Sequence, residues 1–426
     1  MSESTTNTSA TGDLLAIARE AVSQQDLASA ETAYQKVLQV PAEANERTIA
    51  DQETSLNELG SLYRDHNKAQ ELSQSIQTSR TVMGGFAKSK TAKIMRSLID
   101  LFATLPDTLD LQIATTQDCV EWAIAEKRNF LKINLQTRSI NFYFKKQAYF
   151  DAIAIIDGSL RELKRLDDKS VLVEVQLLEA RTYHASRNIP KSRAALTGAR
   201  TSANTIYTPP LMQAGLDHMS GILQAEEKDY KTAFSYFYEA FEGYASQEDA
   251  RAITILKYML LCKVMLNLSD DVISILNGKL ASKYVGRDID ALKAIAAAHK
   301  NRSLKEFELA LETYRTELSQ DTFIRSHFSA LYDSLLEQNS VKVIEPFSCV
   351  EMAHIAELIG SDTRQVEGKL SQMILDKVFY GVLDQGNGWS YVYDEPQRDV
   401  AYDAALDTVK QMSNVVDALY EKAASL

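Results

Sequence analysis

The sequence predicts an all-α solenoid of tetratricopeptide-like helical hairpins, followed by a winged helix and a single C-terminal helix. Three observations carry that prediction. Helix starts recur about 40 residues apart through the middle of the chain, a period typical of stacked two-helix repeats. The stretch Asp321 to Tyr393 reads helix, short strand, helix, helix, strand, turn, strand, the order of a winged helix. After Pro396, a last stretch repeats its apolar residues at heptad spacing. The expected divisions are a disordered Ser/Thr-rich tail over 1–12, a helical-repeat solenoid over 13–320, the winged helix over 321–394, and an assembly helix over 398–426.

Asp13 to Val40 reads as two helices. Leu14, Ile17, Ala18 and Ala21 would form the inner face of the first, and Leu27, Ala30, Tyr34 and Leu38 that of the second. Gln24, Gln25 and Asp26 make the turn. The later hairpin starts are Tyr149 to Ala152, Ile189 to Ser192 and Tyr230 to Ala233, each a larger side chain followed three residues on by a small one. The small residue lets helices approach and the larger one fills the groove between them. Weaker copies begin at Leu268 and Leu304. Hairpins of this kind cannot bury their apolar faces alone, so they stack. Phe307, Leu311, Tyr314 and Leu318 keep helical spacing up to the winged helix, which argues against a flexible linker.

In the winged helix, Ile324, Phe328, Leu331 and Leu335 share one face of the first helix. Val341, Val343 and Ile344 read as a short strand ended by Pro346. Met352, Ile355 and Ile359 mark a second helix stopped by Gly360. Asp362 and Gln365 form a capping box opening a third helix through Val366, Leu370 and Met373. The runs Val378 to Leu383 and Trp389 to Tyr393 flank a Gly-Asn-Gly turn, the signature of a hairpin. Beyond it, Ala405, Val409, Met412, Val416, Leu419 and Ala423 form a heptad seam suited to an intermolecular bundle.

The charge balance limits the partners. The net charge is −12, and the third helix of the winged helix offsets Arg364, Lys369 and Lys377 with Asp362, Glu367 and Asp376. Phosphate binding needs a basic excess, so nucleic acid is not expected and the winged helix reads as a protein docking block. No apolar run approaches the ~20 residues of a spanning helix, so no membrane is expected. Cys119, Cys262 and Cys349 lie far apart, as reduced core residues of a cytoplasmic or nuclear protein do.

Two basic stretches stand out. Lys127 to Lys146 reads as a solvated helix face. In Phe86 to Phe102, Lys88, Lys90, Lys93 and Arg96 alternate with Ile94, Leu98 and Leu101, giving an amphipathic helix whose basic face could meet an acidic partner. Residues for chemistry are lacking. None of His66, His184, His218, His299, His327 and His354 stands in a metal-binding motif, and His354 reads as a packed or surface residue. Gly84 to Thr91 imitates a phosphate-binding loop, but Ser89 replaces its second glycine and no strand precedes it. No catalytic residue, metal or cofactor is expected, and the chain reads as no enzyme.

Several stretches resemble one family closely. They are Phe86 to Thr91, Asp229 to Phe237, Val366 to Lys377, and Gly381 to Trp389. With the order solenoid, winged helix, terminal helix, they make the chain similar to PCI-domain proteins, and within them to lid subunits of the 26S proteasome regulatory particle. The resemblance runs from about Asp13 to Leu426 and leaves the Ser/Thr-rich start outside. It implies a non-catalytic scaffold whose partners are other PCI lid subunits, ATPase-ring subunits and a core-particle α-ring subunit. In that family winged helices pack side by side, terminal helices gather in one bundle, and the amino-terminal solenoid clamps lid, ATPases and core. The lid's deubiquitinating metalloprotease is a different subunit. The alternative is a PCI scaffold of the COP9 signalosome or of a translation initiation factor complex. Partner binding is expected at Val409, Met412, Val416 and Leu419 of the seam. It is expected also at Trp389 and Tyr391, through an open edge of their strand, and at Lys88, Lys90 and Lys93.

Overall fold

The computed structural model describes residues 3–24, 26–39, 46–82, 88–105, 108–284, 286–319, 321–360, 362–394 and 400–424. The helices are α1 (Glu3–Ser23), α2 (Leu27–Gln39), α3 (Glu46–Asp65), α4 (Ala69–Val82), α5 (Lys88–Phe102), α6 (Leu109–Ala125) and α7 (Asn129–Lys145). There follow α8 (Tyr149–Leu166), α9 (Lys169–Ala185), α10 (Ile189–Ala203), α11 (Pro210–Glu226), α12 (Tyr230–Ser246), α13 (Arg251–Met265) and α14 (Ser269–Leu276). After a short 3-10 turn come α15 (Arg287–Asn301), α16 (Leu304–Thr313), α17 (Arg315–Ser319) and α18 (Thr322–Ile344). Then β1 (Cys349–Glu351), α19 (Met352–Ile359), α20 (Thr363–Leu375), β2 (Tyr380–Asp384), β3 (Trp389–Tyr393) and α21 (Val400–Ala424) complete the chain. These elements form two compact units, Met1–Ala252 and Ile253–Leu426.

The first unit is built from antiparallel helical hairpins. The expected starts at Tyr149, Ile189 and Tyr230 are the first residues of α8, α10 and α12. The small residues three positions on, Ala152, Ser192 and Ala233, are all fully buried. Asn188 and Asp229 cap α10 and α12 by accepting from Lys191 N and Thr232 N. The turns use almost no glycine. Lys127, Gln147, Arg187, Lys228 and Glu248 each close a helix in the left-handed region, with φ between 52° and 67°. The next amide donates back five residues, as Arg128 N does to Ala123 O and Asn188 N to Tyr183 O. This is the Schellman closure, which satisfies carbonyls that the helix end leaves open.

Two expectations near the start are corrected. α1 begins at Glu3, so 3–12, expected as a disordered tail, continues the helix; once a helix is nucleated, each further residue adds a hydrogen bond at little cost. Its inner face keeps Ala18 and Ala21 as expected but takes Leu15 on one flank, whereas Ile17 on the other is exposed, because the packed stripe is rotated slightly from the one read. In α2, Ala30 and Tyr34 are buried as expected. Gln25 of the expected turn lies outside the described residues.

The second unit carries short helices and the winged helix. Phe307 and Leu318 are buried, but on two helices, α16 and α17, that divide at Tyr314. Tyr258 donates to Asp321 Oδ1 at 2.9 Å and its ring lies 4.4 Å from that of Phe323, which pins α13 to the start of α18. Val341, Val343 and Ile344 are helical and not a strand. No breaker separates them from Leu335, Ser340 Oγ donates to Leu336 O, and Ile344 is buried on the continued helix. Packing thus overrides their β propensity. The strand forms at Cys349–Glu351, beyond Pro346. Gly360 ends α19 with φ 81°, as expected. Asp362 is the N-cap of α20, yet its carboxylate makes no capping bond, so the capping box is not formed. Val366, Leu370 and Met373 are buried beneath the sheet.

Candidate partner-docking surfaces

The sheet order is β1-β3-β2, both pairs antiparallel. β3 is therefore the central strand, and the expectation that Trp389 to Tyr393 offers an open edge is corrected. Misplacing β1 caused the error. With β1 on 349–351, Cys349 pairs with Tyr391 and Glu351 with Trp389, covering the edge that seemed open. The unpaired edges belong to β1 and β2.

What β3 presents is a face. Side chains alternate across a strand, so Trp389, Tyr391 and Tyr393 share the outer side and Ser390 is fully buried on the inner one. Val382 lies directly across from Tyr391, and Tyr380 from Tyr393. Trp389, Tyr391, Tyr393 and Val382 are 38–57% exposed, an aromatic patch beside a groove of about 610 Å³. Gly381 permits this geometry, since a Cβ there would stand 2.5 Å from the Tyr391 carbonyl oxygen. The Asp384 carboxylate fixes the turn, accepting from Gly386 N at 3.1 Å and Asn387 Nδ2 at 2.9 Å. Hydrogen bonds from Asn387 lower its pKa.

The terminal helix is exposed along its described length. Val409, Met412, Val416 and Leu419, read as a seam, are each 62–64% exposed. Sequence reasoning missed the breadth of this surface. Tyr402, Leu406, Val415 and Tyr420 are exposed as well, and at 100° per residue the apolar arc covers roughly half the helix circumference. A wheel drawn over the whole helix, in place of a single heptad seam, would have found them. Pro396, expected to break the chain before α21, lies outside the described residues.

Lys90 and Lys93 are exposed on α5, while Ile94 and Leu98 are buried behind them. The side chain of Lys88 lies outside the described residues. The second basic stretch is only partly a solvated face: Lys145 and Lys146 are exposed, but Lys132 and Arg138 are half-buried, Lys132 pairing with Glu162 at 2.5 Å and Arg138 with Asp100 at 2.7 Å, while Lys146 pairs with Asp110 at 2.6 Å. On α20, Lys369 is held by Glu337 at 2.7 Å.

Burial shifts several of the remaining titratable groups. Burial, reinforced by Arg181 and Arg251, pushes the His218 pKa down to about 3. Burial lowers His184 and His299 as well, and pushes the Cys262 thiol up to about 12. His354 is exposed. Among the described residues no three His, Cys, Asp or Glu side chains gather as metal ligands. The imitation phosphate loop falls partly outside the described residues. Its described end opens α5 with Thr91 fully buried, and a helix, α4, precedes it. No described helix is long and apolar enough to cross a membrane.

Comparison with known proteins agrees with this architecture. Residues 11–146 match the 26S proteasome regulatory subunit RPN6 N-terminal domain, 311–394 the PCI domain, and 398–424 the 26S proteasome subunit RPN6 C-terminal helix domain. The chain is 54% identical over 412 residues to "Probable 26S proteasome regulatory subunit rpn6" of Schizosaccharomyces pombe, covering 96% of this chain and 98% of that protein. It is 50% identical to "26S proteasome regulatory subunit RPN6" of Saccharomyces cerevisiae, covering 97% and 99%. It is 46% identical to "26S proteasome non-ATPase regulatory subunit 11 homolog" of Arabidopsis thaliana, covering 98% of both.

Proposed function

The chain belongs to the RPN6 family of 26S proteasome regulatory subunits, and from that premise we propose that it is a non-catalytic structural subunit of the proteasome lid. In this reading it bridges the lid, the ATPase ring and the α ring of the core particle. Assembly and stability of the 26S proteasome, and with them ubiquitin-dependent degradation, depend on it. The partners are other PCI lid subunits, ATPase-ring subunits and a core α-ring subunit, in cytoplasm and nucleus. Relatives named for the proteasome do not favour the reading as a signalosome or initiation-factor scaffold.

One observation supports the scaffold role most: α21 exposes Val409, Met412, Val416 and Leu419 along one face. A helix that is apolar over half its circumference and exposed along its described residues suits a bundle with helices of other chains. We assign partner binding to these four residues, to Trp389 and Tyr391 through the sheet face, and to Lys88, Lys90 and Lys93. The division of labour proposed with them is solenoid 13–320, winged helix 321–394 and assembly helix 398–426. Affinity purification of the tagged full chain in ATP, with co-purifying proteins identified by mass spectrometry, tests the proposal. Lid, ATPase and α-ring subunits are the expected recovery. Signalosome or initiation-factor subunits alone would overturn the function and leave the fold intact.

A further inference from the structure

Several cations of the first unit are already paired within the chain. Lys132, Arg138, Lys146, Lys68 and Arg19 each have a carboxylate of this chain within 3.0 Å. Lys93 and Arg96 have no carboxylate partner among the described ion pairs, and Arg96 donates its Nε to the Ala92 carbonyl oxygen of its own helix. Both line a shallow depression of about 510 Å³ between α5 and α7, together with Ser97, Asp100, Leu101 and Arg138. The carboxylate in it is already engaged, since Arg138 donates to Asp100 Oδ1 at 2.7 Å and Oδ2 at 2.9 Å. Asp100 and the nearby Glu174 offset the Arg138 charge, which leaves Lys93 and Arg96 as the cations of this open hollow without a carboxylate among the described ion pairs.

We infer that this depression is a receptor for an acidic peptide segment of a partner protein, its carboxylates held by Lys93 and Arg96 and its backbone lying over Ser97 and Leu101. The inference deepens the assignment of partner binding to the α5 lysines and rests on it for the occupant being a protein. Charge complementarity selects the acidic segment. A forked guanidinium favours carboxylate geometry, which a lysine alone does not provide. Nucleic acid fits less well, because a hollow with two unpaired cations matches a short carboxylate run better than an extended phosphate backbone. Asp100 acts as an internal competitor: it occupies Arg138 and repels an incoming carboxylate.

The test is fluorescence anisotropy on the purified full chain, with a labelled oligoglutamate of about eight residues, an oligoglutamine counterpart and an oligouridylate, at rising ionic strength. The expected result is oligoglutamate binding that weakens with salt and falls about tenfold or more in Lys93→Glu with Arg96→Glu. Asp100→Asn should bind the same probe about threefold more tightly, an effect opposite to that of any damage to the fold. Unchanged binding in either variant, equal binding of oligoglutamine, or tighter binding of oligouridylate overturns the inference. Since the assay contains no proteasome subunit, its failure is separate from failure of co-purification.

Discussion

The hairpin unit and the terminal helix are both amphipathic helices, yet one is closed on itself and the other is open. In α12, Ala233, Phe237 and Ala240 are fully buried against neighbouring hairpins, whereas Val409, Met412, Val416 and Leu419 of α21 repeat similar apolar spacing in the open. The difference lies in what covers the stripe. A stack of hairpins supplies its own covering helices, each packed by its neighbours. The helix after the winged helix is exposed along its described residues, so its apolar area stays in solvent. The same sequence device therefore stabilises one region and leaves the other open.

Charging α21 breaks the comparison most directly. Val409→Asp with Val416→Asp should lower incorporation into the lid by about a hundredfold or more, since two buried charges cost several kcal/mol. The unfolding free energy should stay within about 0.5 kcal/mol of the parent, as for other surface substitutions. Normal co-purification with lid subunits, or a collapsed unfolding transition, would sink the contrast. The matching change in the closed region is Phe237→Ala, which should cost about 3–5 kcal/mol in urea titration, because a fully buried ring leaves a cavity. A loss below about 1 kcal/mol would mean that α12 repacks freely.

Acid should sharpen the comparison next. His218 is neutral when folded, its pKa pushed down to about 3 by burial and two arginines. As pH falls below about 6.5 the unfolded chain takes up the proton first. Stability is therefore complete above that pH and declines toward about 3, with a limiting slope of about 1.4 kcal/mol per pH unit from this group. His184 and His299 shift the same way. Urea titrations near neutral pH and one to two units lower should show the fall, and His218→Leu should flatten it. An unchanged slope would remove His218 as the cause. The smallest effect is expected at a turn. Lys228 has φ 67°, a strained conformation for an L residue, and Lys228→Gly should gain about 0.5 kcal/mol once the extra freedom of glycine in the unfolded chain is deducted. A loss there would show that its side chain does more than close the helix.

The hairpin starts were legible because they rest on a local rule: a large residue such as Tyr230 followed three positions on by a small one such as Ala233. The turns between them were harder to read. Their left-handed residues, Lys127, Gln147, Arg187 and Lys228, belong to types that sequence rules do not mark as helix stops. The docking residues were half legible. The seam Val409, Met412, Val416 and Leu419 was found by spacing, but the broader arc with Leu406 and Tyr420 needed the exposure of every residue on α21. Trp389 and Tyr391 were chosen for an edge and turned out to form a face, with Tyr393 and Val382 beside them.

By itself the sequence determined the class of the fold and the identity of its segments. Periodicity and the Gly-Asn-Gly turn act within a few residues, so they can be read along the chain. Tertiary structure decided where β1 forms, that β3 lies between two strands, and which lysines meet a carboxylate. Those outcomes depend on residues far apart in sequence. Arg138 is neutralised by Asp100 on another helix, while Lys93, in the same hollow, has no carboxylate partner among the described ion pairs. Strand order and charge pairing are long-range choices, made only when the helices have packed.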